Sequence, residues 1–133
     1  MDLPVSWDGS FGQRLGMVYE LVEPGHAIAT LVVGPAHGNP AGLCHGGVLF
    51  TLADDTMGGA VHGLTPDGLV PVASQINVHF TRSVRVAGML RAETHVLSRG
   101  RRTALLQSQV TDKDGRLVAL LTATYLFVEA RQS

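Results

Sequence analysis

The chain has 133 residues, enough for one domain and too few for two of full size. Apolar residues make up 45% and charged residues 16%, which excludes intrinsic disorder. A formal net charge of −1 excludes a general nucleic-acid binder, and a lone cysteine, Cys44, excludes an internal disulfide and a multi-cysteine metal site.

Met1-Asp2-Leu3-Pro4 lacks the basic stretch and apolar run of a secretion signal. No apolar stretch approaches the ~20 residues that cross a bilayer. A reducing cytoplasm and no membrane partner are therefore expected. Residues 1–14, with Pro4, Trp7, Gly9 and Gly12, read as an N-terminal arm or short helix packed on the body. Trp7 and Phe11 suit that packing better than an acyl pocket. Met17 to Val22 and His26 to Val33 are rich in Val, Ile, Leu and Thr around Pro24-Gly25, which predicts a hairpin. Residues 34–44 hold two prolines and three glycines and predict an irregular loop.

Residues 45–62 predict one helix. At about 100° per residue, Val48, Leu49, Leu52, Ala53, Met57, Ala60 and Val61 share one broad arc. Thr51, Asp55 and His62 fall on the polar side, Asp55 and His62 reading as solvated residues or interface contacts, and Asp54 sits at the border. Strands follow at Pro71–Arg82, Ala87–Ser98, Arg101–Thr111 and Arg116–Val128, with turns at Gly100 and Asp114-Gly115. A helix this apolar must be buried. The order predicts a single α+β domain over residues 1–133, a curved antiparallel sheet wrapped around one long central helix. Its edge strands call for pairing across a dimer axis.

The chemistry concentrates where the glycine-rich loop enters this helix. The first helical turn leaves free N–H groups and a positive dipole end, and Gly46 and Gly47 carry no side chains to shield them. The segment lacks the Gly-Lys-Ser/Thr ending of a phosphate-binding P-loop, so an oxyanion developing on a carbonyl fits better. Asp54, partly desolvated by apolar neighbours, is the candidate base or nucleophile. Gly46 and Asp54 stand about 12 Å apart along the helix axis, eight residues at the α-helical rise. One carbonyl cannot touch both, so a shared site needs two subunits. No Gly-x-Ser-x-Gly elbow is present. The six histidines show no helical metal-ligand spacing, and no metal site is expected. Cys44 reads as a small buried hydrophobe rather than a nucleophile.

His45-Gly46-Gly47, five further residues and then Ala53-Asp54, with Asn39 six before the histidine, resembles the hotdog-fold acyl-CoA thioesterases of the phenylacetate-degradation (PaaI) type. Leu15-Gly16-Met17, Pro24-Gly25-His26-Ala27, Asn39-Pro40-Ala41-Gly42 and Phe80-Thr81-Arg82-Ser83 extend the resemblance over nearly the whole chain, with Ser83 where the family has proline. The resemblance implies Asp54 as catalytic carboxylate and the Gly46 N–H as the donor that polarises the thioester carbonyl. It implies Asn39 as the residue positioning water or thioester. His45 is a candidate catalytic base, but reads first as a structural residue at the helix start with its ring near the thioester. Ser74, or its neighbour Ala73, would orient water. It also implies a homodimer, paired into a tetramer, and an aromatic (phenylacetyl- or hydroxyphenylacetyl-like) or medium-chain acyl-CoA. Coenzyme A is then part of the substrate, and no cofactor is needed.

Six of the ten basic residues lie between Arg82 and Arg102, against the single acid Glu93. The turn Arg99-Gly100-Arg101-Arg102 is the expected cradle for the phosphates of coenzyme A. Two other functions share this framework. An enoyl-CoA hydratase or dehydratase needs a histidine base paired with a carboxylate, and a non-catalytic acyl-CoA-binding module needs no Asp54.

Overall fold

The structure is a computed structural model that describes residues 10–130; Trp7 and most of the expected arm lie outside them. The described part begins with a short helix, α1 (Phe11–Leu15), ended by Gly16 at a φ of 96° that only glycine adopts without strain. The predicted hairpin follows as β1 (Val18–Glu23) and β2 (His26–Val32). The loop after it is not wholly irregular. Pro35–His37 forms one 3-10 turn, because proline presets its first φ and the His37 ring accepts from the Gly34 N–H at 2.9 Å. His37 Nε2 then donates to the Leu15 carbonyl at 2.6 Å, tying this loop to the end of α1.

The long helix, α2 (Gly46–His62), buries all seven apolar residues that the wheel places on its arc. Four strands complete the chain: β3 (Leu69–Phe80), β4 (Met89–Arg99), β5 (Thr103–Thr111) and β6 (Leu117–Glu129). All six strands form one antiparallel sheet in the order β1-β2-β4-β5-β6-β3. Period-two alternation sends Ala27, Ala29 and Leu31 of β2, Leu90 and Ala92 of β4, Leu106 and Val110 of β5, and Leu121 and Ala123 of β6 into one core with the helix. Alanines at four of these positions let α2 lie close to the sheet. Burying a side chain such as Leu52, 1% exposed, contributes roughly 2 kcal/mol. This is the hotdog architecture: a curved antiparallel sheet around one helix.

The sheet ends in two edges. β1 is short and irregular near Glu20. β3 is twelve residues long, exposed along most of its length, and bulged where Ser74 is inserted between Ala73 and Gln75. No helix among the described residues is long and apolar enough to cross a membrane.

Candidate functional site

His45 closes the start of α2. Its φ and ψ are extended, and Nδ1 accepts from the Gly47 N–H at 2.8 Å. An accepting Nδ1 places the ring proton on Nε2. A Cβ on residue 47 would stand 2.9 Å from that nitrogen, so glycine is required there by the ring itself. This corrects one expectation: Gly47 does not present a free N–H, because His45 takes it. Gly46, first in the helix, has no intrahelical acceptor for its N–H, and none of the described residues supplies one. The Phe80 ring covers Gly46, 3.2 Å from where a Cβ would be. A cleft of about 390 Å³ opens here between Cys44, Gly46, Leu49, Phe80 and residues 81–84.

Asn39 lies on the approach loop and is not a wall residue of that cleft. Its Oδ1 accepts from the Ala41 and Leu43 N–H groups at 2.9 and 3.2 Å, which holds the loop closed. The amide group of Asn39 remains as the donor.

A second cleft, about 530 Å³, lies beside the middle of the helix. Ser10, Phe11, Asp54, Asp55, Gly58, Pro71, Val72, Ala73 and Tyr125 line it. Burial pushes the Asp54 carboxyl above its ordinary value, and a hydrogen bond from the Tyr125 hydroxyl pulls partly the other way. Tyr125 was not among the residues singled out from sequence. The available signal was a single tyrosine on the otherwise apolar inward register of β6, where a buried hydroxyl must find a partner.

Asp55 is not the solvated residue that the wheel predicts. Burial, and secondarily the charge of Asp54, raise its pKa to about 6, while the Gly12 N–H donates to its carboxylate. The wheel treats α2 as isolated, but α1 lies across this face. Asp55 Oδ2 and Met17 Sδ occupy the space that a Cβ on Gly12 would need. The Tyr19 hydroxyl also donates to the Asp55 carbonyl at 2.6 Å.

Ser74 stands on the bulge of β3, and its hydroxyl donates to the Thr124 carbonyl at 3.1 Å. Its neighbour Ala73, not Ser74, lines the Asp54 cleft. The basic stretch of the sequence is not one patch. Arg82 and Arg85 line a third cleft with Lys113 and Arg116, near the Gly46 end. Arg91 contacts Glu93 on the sheet, Nη1 to Oε1 at 3.3 Å. Arg99 stands eight residues further along β4, about 27 Å at the strand rise. Arg99 Nη2 donates to the Leu64 carbonyl at 2.9 Å, and its guanidinium lies 5.7 Å from the centre of the Phe127 ring. Arg101 and Arg102 are exposed at the turn.

Residues 41–119 match the family model described as the thioesterase superfamily. Acyl-coenzyme A thioesterase PaaI of Escherichia coli K12 is 30% identical over 108 residues, covering 81% of this chain and 75% of that protein. A putative esterase of Archaeoglobus fulgidus is 28% identical over 103 residues, covering 77% of this chain and 65% of that longer protein. A hypothetical thioesterase from Streptococcus pneumoniae, solved with coenzyme A, superposes with a TM-score of 0.79 at 28% identity, covering 88% of this chain and 89% of that one.

Proposed function

The chain belongs to the thioesterase superfamily, a family of thioester hydrolases, and on that premise we propose that it hydrolyses an acyl-coenzyme A to free acid and coenzyme A. One observation carries the reading: the Gly46 cleft lies at the start of α2 and the Asp54 cleft beside its middle, both along the exposed edge strand β3. Phe80 walls the first and Val72 the second. Pairing two copies of β3 antiparallel about a two-fold near Ile76 sets Phe80 of one protomer opposite residue 72 of the other. Each Gly46 N–H then faces the Asp54 of the other protomer. The pairing also removes a long open edge that exposes Val70, Val72 and Phe80.

The thioester carbonyl binds at the Gly46 N–H. Asp54 of the other protomer takes a proton from water, and the hydroxide adds to the carbonyl carbon. The oxyanion is held by the N–H until the C–S bond breaks and the Asp54 proton returns to the thiolate. In the covalent variant Asp54 attacks directly, and water hydrolyses the resulting anhydride. The Asn39 amide positions water or thioester, and Ser74 supports the water-side wall through the bulge that carries it. The turn Arg99-Gly100-Arg101-Arg102 remains the proposed phosphate contact, served by Arg101 and Arg102 since Arg99 is already engaged. The acyl group is aromatic or medium-chain, sized to the Asp54 cleft with its Phe11, Val72 and Tyr125 walls. The relative named PaaI and the neighbour solved with coenzyme A support an acyl-coenzyme A substrate. No cofactor takes part, and the working assembly is a homodimer, paired further into a tetramer, in the cytoplasm. A hydratase reading fits less well, because a His45 base would need the nitrogen already accepting from Gly47.

Asp54→Asn tests the mechanism. Thiol release from a panel of aromatic and aliphatic acyl-CoAs is expected to fall at least about 100-fold. Wild-type rates in this variant would overturn it. Incorporation of ¹⁸O from labelled water into Asp54 during single turnover separates the anhydride route from the water route.

A further inference from the structure

A second cluster of chemistry-bearing side chains lies on the sheet, away from both clefts. Strands β2 and β4 pair with His26 directly opposite His95. Glu93 is two residues before His95 and therefore shares its face. Neighbouring Ala27 and Thr94 point the other way, into the core. His26 Nε2 lies 2.7 Å from Glu93 Oε2, and His95 Nε2 lies 3.5 Å from the same oxygen. His26 Nδ1 is 3.2 Å from Glu23 Oε1.

We propose that His26, Glu93 and His95 form a binding site for a divalent transition-metal ion of the zinc class. Three ligand atoms, two imidazole nitrogens and one carboxylate oxygen, lie within 4.8 Å of one another. Tetrahedral zinc with bonds near 2.1 Å separates its ligand atoms by about 3.4 Å, and the two spacings to Glu93 Oε2 fall on either side of that. Imidazole donors select zinc, nickel or copper over magnesium or calcium.

The electrostatics favour a cation here. If Nδ1 of His26 donates to Glu23, its Nε2 presents a lone pair to the Glu93 oxygen 2.7 Å away. Two lone pairs at that distance need a positive centre between them. With no metal bound, that centre is a proton shared between His26 Nε2 and Glu93 Oε2. Glu23 and Glu93 outweigh Arg91, so neutral imidazoles leave the cluster at −1. Metal binding expels the shared proton. Glu23 then plays the outer carboxylate that orients a ligating histidine. Arg91 holds the other oxygen of Glu93 and leaves Oε2 for the ion.

The two rings now stack at 4.3 Å with 13° between their planes, so their lone pairs run parallel. Loading the ion swings the His95 ring, whose side chain is 55% exposed, out of the stack until the lone pairs converge. The bound ion clips the Glu23–His26 turn of the edge hairpin to β4. The helical spacing rule missed this site because its ligands come from two strands and meet only through sheet register.

The test uses the untagged full chain after chelator treatment, titrated calorimetrically with Zn²⁺ at pH 7.5 and with Co²⁺ by visible absorption. One ion per chain, a raised Tm and a tetrahedral cobalt spectrum are expected. His95→Ala and Glu93→Gln should each weaken zinc binding at least about tenfold, and Glu23→Gln about tenfold. Affinity should fall between pH 7.5 and 5.5 as protons compete. An apo Tm close to wild type certifies the His95→Ala fold, with His95→Gln as the replacement if it is lowered. The proposal is overturned if the wild type shows no saturable zinc binding below about 100 μM, or if a folded His95 variant binds as tightly as the wild type.

Discussion

Asp54 and Asp55 are adjacent carboxylates in one cleft, yet their surroundings set them different tasks. Asp54 faces the cleft under the Tyr125 hydroxyl, while Asp55 receives the Gly12 N–H from α1. Removing that hydroxyl in Tyr125→Phe deletes the interaction that holds the Asp54 pKa down. The acid limb of the kcat/KM profile should therefore move to higher pH, with kcat/KM at pH 7 falling roughly tenfold. An unshifted limb would dissociate Tyr125 from the base. For Asp55 the sign concerns stability. Its pKa rises from 3.8 to about 6 on folding, so the folded state resists its ionisation. The resulting penalty is absent below pH 4 and grows as the pH rises through 6. Asp55→Asn should stabilise the fold at pH 8, on the order of 2 kcal/mol, and change little at pH 4. Thermal melts at the two pH values measure this directly.

At the scale of elements, the decisive contact is α1 on α2. Glycine inside an exposed helix ordinarily costs about 1 kcal/mol relative to alanine. Position 12 should reverse that rule, because its missing Cβ is the space that Asp55 and Met17 fill. Gly12→Ala is expected to destabilise by roughly 1–3 kcal/mol and to displace the Ser10–Phe11 wall of the Asp54 cleft. Denaturant unfolding together with KM for the acyl-CoA gives both readings; a stabilised variant with unchanged KM would contradict the packing. The start of α2 follows the same logic. His45 and Gly47 act as one cap, and Gly46 is left as the donor.

At the scale of the molecule, the proposal is that one chain carries two half-sites. Proline at the first helical position removes the Gly46 N–H while suiting the helix, and the extended His45 before it is compatible with proline. Gly46→Pro and Asp54→Asn should therefore each give folded, inactive protein. After complete subunit exchange, an equal mixture contains about half hybrid dimers, each with one intact site of two. About a quarter of wild-type activity should return. No recovery, with hybrids demonstrated by native mass spectrometry, would place Gly46 and Asp54 in sites within one chain.

Much of this molecule is legible in the bare chain. The arc Val48–Val61 specifies a buried helix, because apolar periodicity at 3.6 residues has one economical solution. The alternating strands and the Pro24-Gly25 and Asp114-Gly115 turns specify the antiparallel order, because turn geometry is local. His45-Gly46-Gly47 and Ala53-Asp54 carry the family resemblance for the same reason: a helix start and a border position are properties of short segments. Contacts between distant segments are another matter. That α1 covers Asp55, that Tyr125 reaches Asp54, that Ser74 is spent on a bulge, and that one run of arginines divides among three places all depend on how strands register and which helix face is covered. The meeting of His26 with Glu93 and His95 is of that kind too, set by hydrogen-bond register across 67 residues of chain. Local sequence dictates local conformation, but the environment of a polar side chain is made by whatever the fold packs against it, and only the tertiary structure decides that.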